Sequence, residues 1–221
     1  MFSYFGSKSK VIHLYPEPVY GKIIEPFAGS ARYALNYFEN DVLLCDVNPR
    51  VVAVWQYLKT ASVKDVLSLP NLERHQTLDD AEFNSLTDAE KWLVGFELCR
   101  GKPEPRKRPS KITSGWDKAK HRIANNLYKI RHFEVYLQSF DTLDNTRATW
   151  FVDPPYIIKH NSNKYTYQIK DYDKLANWCK NLNGQTIVCA GEYDEWLPFE
   201  TLQWYWQGGR MRREKIFINE N

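Results

Sequence analysis

Between residues 22 and 46, a strand, a glycine turn, a helix and a second strand follow one another, and this order constrains the fold most. The apolar strand Lys22–Ile24 ends at Glu25, and a turn that contains Gly29 leads into a predicted helix. The second predicted strand ends at Asp46, 21 residues after Glu25. This order is typical of a nucleotide-binding βαβ unit, in which an acidic residue about 20 residues beyond the first strand binds ribose hydroxyls.

The turn itself favours S-adenosylmethionine over a dinucleotide as the ligand. A dinucleotide needs several glycines, because the backbone must approach its pyrophosphate closely. The turn Pro26-Phe27-Ala28-Gly29-Ser30-Ala31 has one glycine, and its next candidate position is Ala31. S-adenosylmethionine carries no phosphate, so it fits this turn better. A βαβ unit without a ligand is the alternative.

A second motif follows the apolar run Thr149–Val152, which is typical of a buried strand. Asp153-Pro154-Pro155-Tyr156 comes next, and its prolines end the strand because neither can donate to a sheet ladder. The motif therefore presents a carboxylate, two rigid carbonyl acceptors and an aromatic ring at a strand tip. The acceptors can bind one amino group, and the ring can stack on a flat heterocycle. A strand-ending turn with an exposed Asp is the alternative.

Asp153-Pro154-Pro155-Tyr156 resembles the DPPY motif of the amino-methyltransferases, which methylate exocyclic amines of DNA bases. The chain as a whole resembles the Dam-type (alpha-group) DNA adenine-N6 methyltransferases, in which cofactor motifs come first, target recognition follows and DPPY comes last. The stretch Tyr4–Lys8 is similar to the N-terminal cofactor motif of that family. The run from Glu25 to Ala31 is similar to its first cofactor motif, with Ala31 where the family more often has glycine.

The resemblance implies an α/β fold: a Rossmann-like class I methyltransferase sheet with an inserted, mostly helical target-recognition segment. Residues 1–60 and 144–221 would form the S-adenosylmethionine-binding catalytic domain. Residues 61–143 would form the inserted basic segment that recognises the target and binds DNA. In such a sheet, Glu25, Asp46 and Asp153 are expected to face one crevice at the carboxyl ends of neighbouring strands.

By this resemblance the protein is a site-specific DNA methyltransferase that transfers a methyl group from S-adenosylmethionine to the N6 amine of a flipped-out adenine. Asp153 and the Pro154 carbonyl would accept the amine hydrogens, and Tyr156 would stack on the base. The implied catalytic residues are Asp153, Pro154, Pro155 and Tyr156. The implied cofactor-binding residues are Tyr4, Lys8, Glu25, Phe27, Gly29, Asp46 and Asp153.

Two alternatives to adenine methylation stay open from the sequence. Cytosine-N4 methylation uses an amine that suits the same acceptors. A non-catalytic DNA-binding protein with a vestigial methyltransferase fold would keep the motifs without transferring a methyl group. Cytosine-C5 methylation is disfavoured, because it needs a Cys nucleophile in a Pro-Cys context and none of the four cysteines lies in one.

Positive charge is concentrated in the middle of the chain, although the net charge is only +3. From Arg100 to Arg131 there are eleven Lys/Arg and two Asp/Glu, a balance of +9 that leaves −6 for the remainder. Such an excess indicates contact with a polyanion, here double-stranded DNA, with a solvated face as the alternative. The expected DNA contacts are Arg100, Arg106, Lys107, Arg108, Lys111, Lys118 and Arg122.

Further expectations concern partners and localisation. No apolar run approaches the ~20 residues that span a membrane, and the N-terminus lacks a signal-peptide core. The four scattered cysteines are expected to be reduced, and the spacing of the five histidines predicts no metal site. We therefore expect a cytoplasmic protein, bacterial or phage-encoded, that is a monomer, with a dimer on DNA as the alternative.

The remaining elements complete the predicted alternation. The polar, Tyr-rich stretch from Ile157 to Tyr172 is expected to close over the base. Arg210, Arg212 and Arg213 either touch DNA or form a solvated hairpin end. The other predicted helices are Asn48–Lys59, Thr87–Arg100, Trp116–Ile130 and Asp171–Asn181. The other predicted strands are Phe133–Tyr136, Gln185–Ala190 and a terminal antiparallel pair, Thr201–Trp206 and Glu214–Ile218.

Overall fold

Seven strands form one sheet in the part of the chain that the computed structural model describes, namely residues 1–8, 11–98, 103–109, 115–157, 165–207 and 209–221. The strands are β1 (Lys22–Glu25), β2 (Asp41–Asp46), β3 (Glu134–Leu137), β4 (Ala148–Val152), β5 (Gly184–Ala190), β6 (Glu200–Gln207) and β7 (Arg210–Glu220). Their order across the sheet is β3-β2-β1-β4-β5-β7-β6.

The order of the strands brings the ends of distant segments together. β1 pairs in parallel with both β2 and β4, β2 pairs in parallel with β3, and β4 pairs in parallel with β5. β7 is antiparallel to β5 and β6. The chain moves outward from β1 to β3 and then returns to β4 on the other side of β1. The crevice at such a reversal, beyond the carboxyl ends of the strands, is where open α/β sheets bind ligands.

Side chains cap the starts of several helices. The helices are α1 (Arg32–Asn36), α2 (Pro49–Thr60), α3 (Val63–Ser68), α4 (Asp88–Leu98), α5 (Trp116–Ala124) and α6 (Tyr172–Lys180). Short 3₁₀ helices span Ile12–Leu14, Ala81–Phe83, Leu127–Ile130 and Phe140–Thr142. Asn48 caps α2 by accepting a bond from the Arg50 amide at 3.0 Å, and Asp171 caps α6 by accepting one from the Lys174 amide at 2.9 Å. The predicted starts of these two helices are therefore confirmed.

The single helix predicted from Trp116 to Ile130 is wrong, because α5 ends at Ala124 and a separate 3₁₀ turn follows from Leu127. Asn125 and Asn126 separate the two, and the side-chain amide of Asn126 donates to the Arg122 carbonyl at 2.7 Å. Asparagine competes with the helical backbone in this way. The predicted apolar stripe is nevertheless buried along its whole length, at Trp116, Ala119, Ile123, Leu127 and Ile130.

Helices cover both faces of the sheet. On one face, Leu93 and Phe96 of α4 and Ile123 of α5 share a single apolar core with Ile23 of β1 and Phe151 of β4. On the other face, residues of α6 pack on the alternate residues of β1, β4 and β5. The predicted α/β class is confirmed by this arrangement. Between residues 61 and 143, α4 and α5 contribute to the main core, and β3 is the edge strand of the sheet.

The entry to β5 requires glycine, which provides a test of the fold. Gly184 has φ +102°, and a Cβ atom there would lie 2.3 Å from the Ala148 carbonyl oxygen on the neighbouring strand. We expect Gly184→Ala to lower the free energy of unfolding by about 2 kcal/mol or more, because both the backbone conformation and the clash are unfavourable. Urea denaturation would measure this change.

Gly21→Ala is the matched control, because a Cβ atom at Gly21 meets no atom within 4 Å. Its free energy of unfolding should stay within about 0.5 kcal/mol of the wild-type value. Equal effects of the two substitutions would contradict the pairing of β4 with β5 at this position.

Candidate active site

The carboxyl ends of β1, β2 and β4 open into one cavity. Glu25, Asp46 and Asp153 all line it, although they come from three strands. Every residue predicted from the sequence to bind the cofactor contributes to the lining: Tyr4, Lys8, Glu25, Phe27, Gly29, Asp46 and Asp153. Of the DPPY motif, Pro154 and Pro155 line it as well. The cavity has the form of a cofactor crevice at a topological switch point.

Asp46 holds the glycine turn against the end of β2. Its Oδ2 accepts a bond from the Gly29 amide at 3.0 Å, and its Oδ1 accepts one from the Asn48 amide at 2.8 Å. Burial raises the pKa of Asp46 to about 6, and the bonds from the backbone amides oppose this shift. Each carboxylate oxygen has a second lone pair, so Asp46 can hold the turn and still accept bonds from a ligand hydroxyl.

The turn also depends on two left-handed residues. Gly29 has φ +44°, and a Cβ atom there would lie 2.9 Å from the ring of Tyr4, so glycine lets the aromatic ring close on the turn. Ala31 has φ +44° and ψ 52°, a conformation that glycine adopts more easily than alanine. This backbone requirement explains why glycine suits the position of Ala31 in the family motif.

Glu25 is a buried carboxyl group below the first turn of α1. Its side chain is 2% exposed, and its Oε1 accepts a bond from the Ala34 amide at 2.6 Å. Burial raises the pKa of Glu25 to about 8; the Ala34 amide and the Lys8 ammonium oppose this shift, and the charge of Asp153 adds to it. At neutral pH the protonated form of Glu25 is therefore favoured.

Lys8 and Asp153 form an ion pair at the cavity wall. The Lys8 ammonium donates to Asp153 Oδ1 at 2.7 Å, and the side chains are 6% and 22% exposed. Burial lowers the pKa of Lys8, but the carboxylates of Asp153 and Glu214 outweigh this effect and raise it above its ordinary value. The ammonium charge is therefore retained, and it favours the ionised form of Asp153.

Glu214 on β7 belongs to the same cluster, although the sequence did not single it out. It is 2% exposed, its Oε1 accepts bonds from the Tyr15 hydroxyl at 2.6 Å and the Tyr156 hydroxyl at 2.8 Å, and it lies 3.7 Å from the Lys8 ammonium. One sequence signal was available. Glu214 precedes the buried Ile216 by two residues, so a strand directs both side chains to the same face.

The Tyr156 ring is held from several sides. Its hydroxyl donates to Glu214, and the Lys8 ammonium lies 4.5 Å from the ring centroid. A Cβ atom at Gly191 would lie 2.7 Å from the ring, so only glycine allows this approach. The preceding carbonyl, that of Pro155, accepts a bond from the Tyr172 hydroxyl at 2.6 Å. The cluster therefore fixes the ring and the backbone of the DPPY motif together.

The segment after DPPY borders the cavity from Tyr165 onward, whereas residues 158–164 lie outside the described ranges. The Tyr165 ring packs edge-to-face on Phe5 with centroids 5.0 Å apart. Thr166 donates a hydrogen bond to Glu104, which also pairs with Arg50 at the start of α2. The described part of the basic loop therefore lies beside the cavity.

The residues predicted to contact DNA have different surroundings. Arg106, Lys107 and Arg108 are exposed in the basic loop, and the Lys107 ammonium lies 2.9 Å from the Asp79 carboxylate. Lys118 is exposed on α5. Arg122 donates to the buried Glu97 carboxylate at 3.4 Å and to the Met1 carbonyl at 3.3 Å. The predictions for Arg100 and Lys111 fall outside the described residues.

Within the described ranges, no cluster of three or more His, Cys, Asp or Glu side chains could bind a metal ion. No helix in the same ranges is long and apolar enough to cross a membrane. Cys45, Cys179 and Cys189 are buried and free, and Cys99 lies outside the ranges.

The strand order and the acidic residues at the ends of β1, β2 and β4 define a Rossmann-like α/β fold of the methyltransferase type. Residues 4–98 match the family model described as D12 class N6 adenine-specific DNA methyltransferase, and this match supports an adenine-specific DNA methyltransferase, a transferase that acts on DNA. A comparison with curated proteins finds no match. The matched range contains Tyr4, Lys8, Glu25 and Asp46.

The raised pKa of Glu25 predicts a specific dependence of stability on pH. The unfolded chain loses this proton near pH 4.5, whereas the folded protein keeps it to about pH 8. The free energy of unfolding should therefore fall as the pH rises between these values, by at most ~1.4 kcal/mol per pH unit from this group. Glu25→Gln cannot titrate, so its stability should fall less over the same window.

Urea denaturation at several pH values between 5 and 8 would measure this difference. Glu39→Gln, which alters an exposed carboxylate, serves as the matched control and should follow the wild-type curve. Parallel curves for wild type and Glu25→Gln would contradict the assignment of a raised pKa to Glu25.

The bond from Tyr156 to Glu214 predicts a loss of stability on removal of one hydroxyl group. Tyr156→Phe keeps the ring but removes a hydrogen bond to a buried carboxylate, which is typically worth about 1.5–3 kcal/mol. The free energy of unfolding should fall by an amount in this range, as measured by urea denaturation.

Tyr20→Phe provides the comparison for Tyr156→Phe. The Tyr20 hydroxyl also donates to a carboxylate, but its partner Glu220 is exposed and the bond is 3.4 Å long. We expect a change of no more than about 0.5 kcal/mol. Similar losses of stability in the two variants would show that burial does not strengthen the hydrogen bond from Tyr156 to Glu214.

Proposed function

We propose that the protein is a Dam-type, S-adenosylmethionine-dependent enzyme that methylates N6 of an adenine flipped out of double-stranded DNA at a specific site. One observation carries this proposal. The DPPY motif follows β4, and its Asp153 lines the same cavity as Glu25 and Asp46, the acidic residues at the ends of β1 and β2. A base amine at Asp153 would therefore lie beside a ligand held by Glu25 and Asp46.

The residues around the turn fit S-adenosylmethionine. Asp46 keeps acceptor capacity for the ribose hydroxyls, and Gly29 leaves the turn without a side chain where Tyr4 closes on it. Phe27 and Glu25 also line this side of the cavity. Lys8 lies between this side and the DPPY motif, where it donates to Asp153. When bound, the cofactor supplies an electrophilic methyl group on a positively charged sulfur.

Asp153 and the Pro154 carbonyl are assigned to the adenine amine. The Lys8 ammonium donates to Asp153 Oδ1, so we assign Oδ2 as the acceptor for one amine hydrogen. Lys8 also favours the carboxylate form, which accepts rather than donates. The two acceptors draw the amine hydrogens out of the plane of the base and free the nitrogen lone pair for attack on the methyl group. The product amine loses one proton, and Asp153 is placed to receive it.

Tyr156 is assigned to stacking on the flipped base. Its ring is held by the Glu214 bond and by the close approach of Gly191. In this structure the Lys8 ammonium lies over the ring, 4.5 Å from its centroid. A base stacked on that face of the ring would need the same space. We propose that Lys8 shifts along its ion pairs with Asp153 and Glu214 when the base enters.

Target recognition is assigned to residues 61–143 outside β3, and the cofactor and catalytic groups to residues 1–60 and 144–221. The ties from Glu104 to Arg50 and Thr166 support this division, since they place the basic loop at the cavity. We propose a monomer that acts in the cytoplasm of a bacterium or a phage-infected cell. The proposed phosphate contacts are Arg100, Arg106, Lys107, Arg108, Lys111, Lys118 and Arg122.

Asp153→Asn tests the proposed function. The amide keeps the shape of the side chain but replaces one acceptor oxygen with a donor, which opposes the amine hydrogens. Loss of a preorganised polar contact of this type commonly slows a reaction by ~10²–10³. We expect such a decrease in single-turnover methyl transfer from labelled S-adenosylmethionine to duplex DNA, with the product nucleoside identified after digestion.

Asp144→Asn is the matched control, because Asp144 is exposed and lies on the amino-terminal side of β4. It should transfer methyl groups at the wild-type rate. A wild-type rate for Asp153→Asn would remove the DPPY motif from the mechanism.

A further inference from the structure

The hairpin formed by β6 and β7 extends beyond the rest of the sheet. Residues Lys215–Glu220 of β7 pair with β5, and the last of these pairs joins Lys215 to Ala190. Residues Arg210–Glu214 pair only with β6. Because β7 is antiparallel to β5, this part of the hairpin projects past the carboxyl end of β5. The projection therefore lies at the edge of the sheet that carries the active site.

One face of the projecting hairpin presents large side chains to solvent. Trp204 is 51% exposed, Trp206 is 68% exposed and Met211 is 45% exposed. Trp206 pairs with Met211 across the two strands, and Trp204 pairs with Arg213. We call Trp204, Trp206, Met211 and Arg213 the outer hairpin face. Contiguous exposed aromatic residues of this kind mark interaction surfaces.

The charge of the outer hairpin face and its neighbours indicates the kind of partner. From Gln203 to Arg213 the sequence has three Arg and no Asp or Glu. The Arg213 guanidinium lies 5.5 Å from the centroid of the Trp204 ring and donates to the Thr201 hydroxyl at 2.7 Å, so it is held beside the aromatic surface. Exposed aromatic rings next to arginine suit nucleic acid, because rings stack on bases or sugars and guanidinium groups bind phosphates.

The distance to the active site is short. Met211 is three residues from Glu214, whose carboxylate accepts the bond from Tyr156. At a rise of about 3.3 Å per residue, Met211 lies roughly 10 Å along the strand from the active-site cluster. Base pairs are spaced by about 3.4 Å, so this corresponds to about three base pairs. The side chains of Met211 and Glu214 lie on opposite faces of β7, because three residues separate them. A duplex that lies across the carboxyl edge of the sheet, with its adenine turned into the cavity, would meet the projecting hairpin at that edge.

We propose that the outer hairpin face is a second DNA-contact surface that holds the duplex flanking the target adenine. The inference rests on the proposed function and adds a contact outside residues 61–143. Trp204 and Trp206 pack against the sugars of the flank, and Arg213 binds a phosphate.

Two variants test the surface, each with a matched control. Trp204→Ala/Trp206→Ala removes both rings, and Tyr136→Ala removes a ring that is 49% exposed on β3, at the opposite edge of the sheet. Arg213→Ala removes the guanidinium group of the outer hairpin face. Its control, Arg147→Ala, removes a guanidinium group on the amino-terminal side of β4 that lies 5.1 Å from the centroid of the Tyr20 ring. Fluorescence anisotropy of a labelled duplex containing the methylation site gives the affinity as a function of salt.

We expect the double Trp variant to bind the duplex about 10-fold more weakly than wild type, because two large apolar contacts are lost. Arg213→Ala should reduce the slope of log affinity against log salt by about one unit. Both controls should match wild type, and every variant should keep the wild-type single-turnover rate once DNA is saturating.

The outcomes separate this proposal from the proposed function. Weaker binding with intact methyl transfer at saturation supports the DNA-contact surface. If both hairpin variants bind DNA with wild-type affinity while the wild-type enzyme is active, only the proposed DNA-contact surface is wrong. If the wild-type protein binds no DNA, both proposals are wrong. A change of mass in sedimentation with unchanged DNA affinity makes the face an interface between copies of the chain and also overturns the surface.

Discussion

The buried ammonium of Lys8 connects three parts of the chain that are far apart in sequence. It lies 2.7 Å from the Asp153 carboxylate and 3.7 Å from that of Glu214, so it joins the N-terminal segment, the DPPY motif and β7. Charges are buried only at a high cost unless they are paired. Without Lys8, two carboxylates would face each other at the cavity wall, and the Tyr156 ring would lose the ammonium above it. The geometry of the whole site therefore depends on this ion cluster.

Three acidic residues at one sheet edge acquire different properties from their surroundings. Glu25 is almost fully buried with one amide donor, and burial raises its pKa to about 8. Asp46 has amide donors on both oxygens, and its pKa is about 6. Burial raises the pKa of Asp153 as well, but its lysine partner opposes this shift. A protonated Glu25 removes one negative charge from the surroundings of Asp153, which favours the carboxylate form that accepts amine hydrogens.

The segment between the cofactor half and DPPY is part of the same folded unit. Its helices α4 and α5 bury Leu93, Phe96 and Ile123 in the core that also contains residues of β1 and β4. Glu104 in its basic loop contacts Arg50 in the first turn of α2 and Thr166 in the cavity lining. The basic loop is therefore connected to the wall of the cavity.

The sequence by itself determined the elements whose causes are local. The glycine turn after β1, the caps at Asn48 and Asp171 and the apolar run before Asp153 were predicted correctly, because side-chain periodicity and capping act over a few residues. The strand order then followed from the alternation of strands and helices, and it placed Glu25, Asp46 and Asp153 at one edge. The break of the helix after Ala124 was missed, because the apolar stripe continues through it while Asn126 bonds to the Arg122 carbonyl.

Only the tertiary structure decided the partners of the buried charged groups. Lys8 and Asp153 are 145 residues apart, Tyr156 and Glu214 are 58 apart, and Tyr15 and Glu214 are 199 apart. No local pattern selects such partners, because a buried charge is satisfied by whichever group the fold brings within bonding distance. The same reason applies to the hairpin. Its alternating residues predicted two strands, but only the pairing of β7 with β5 decided that Trp204 and Trp206 project past the carboxyl edge of the sheet.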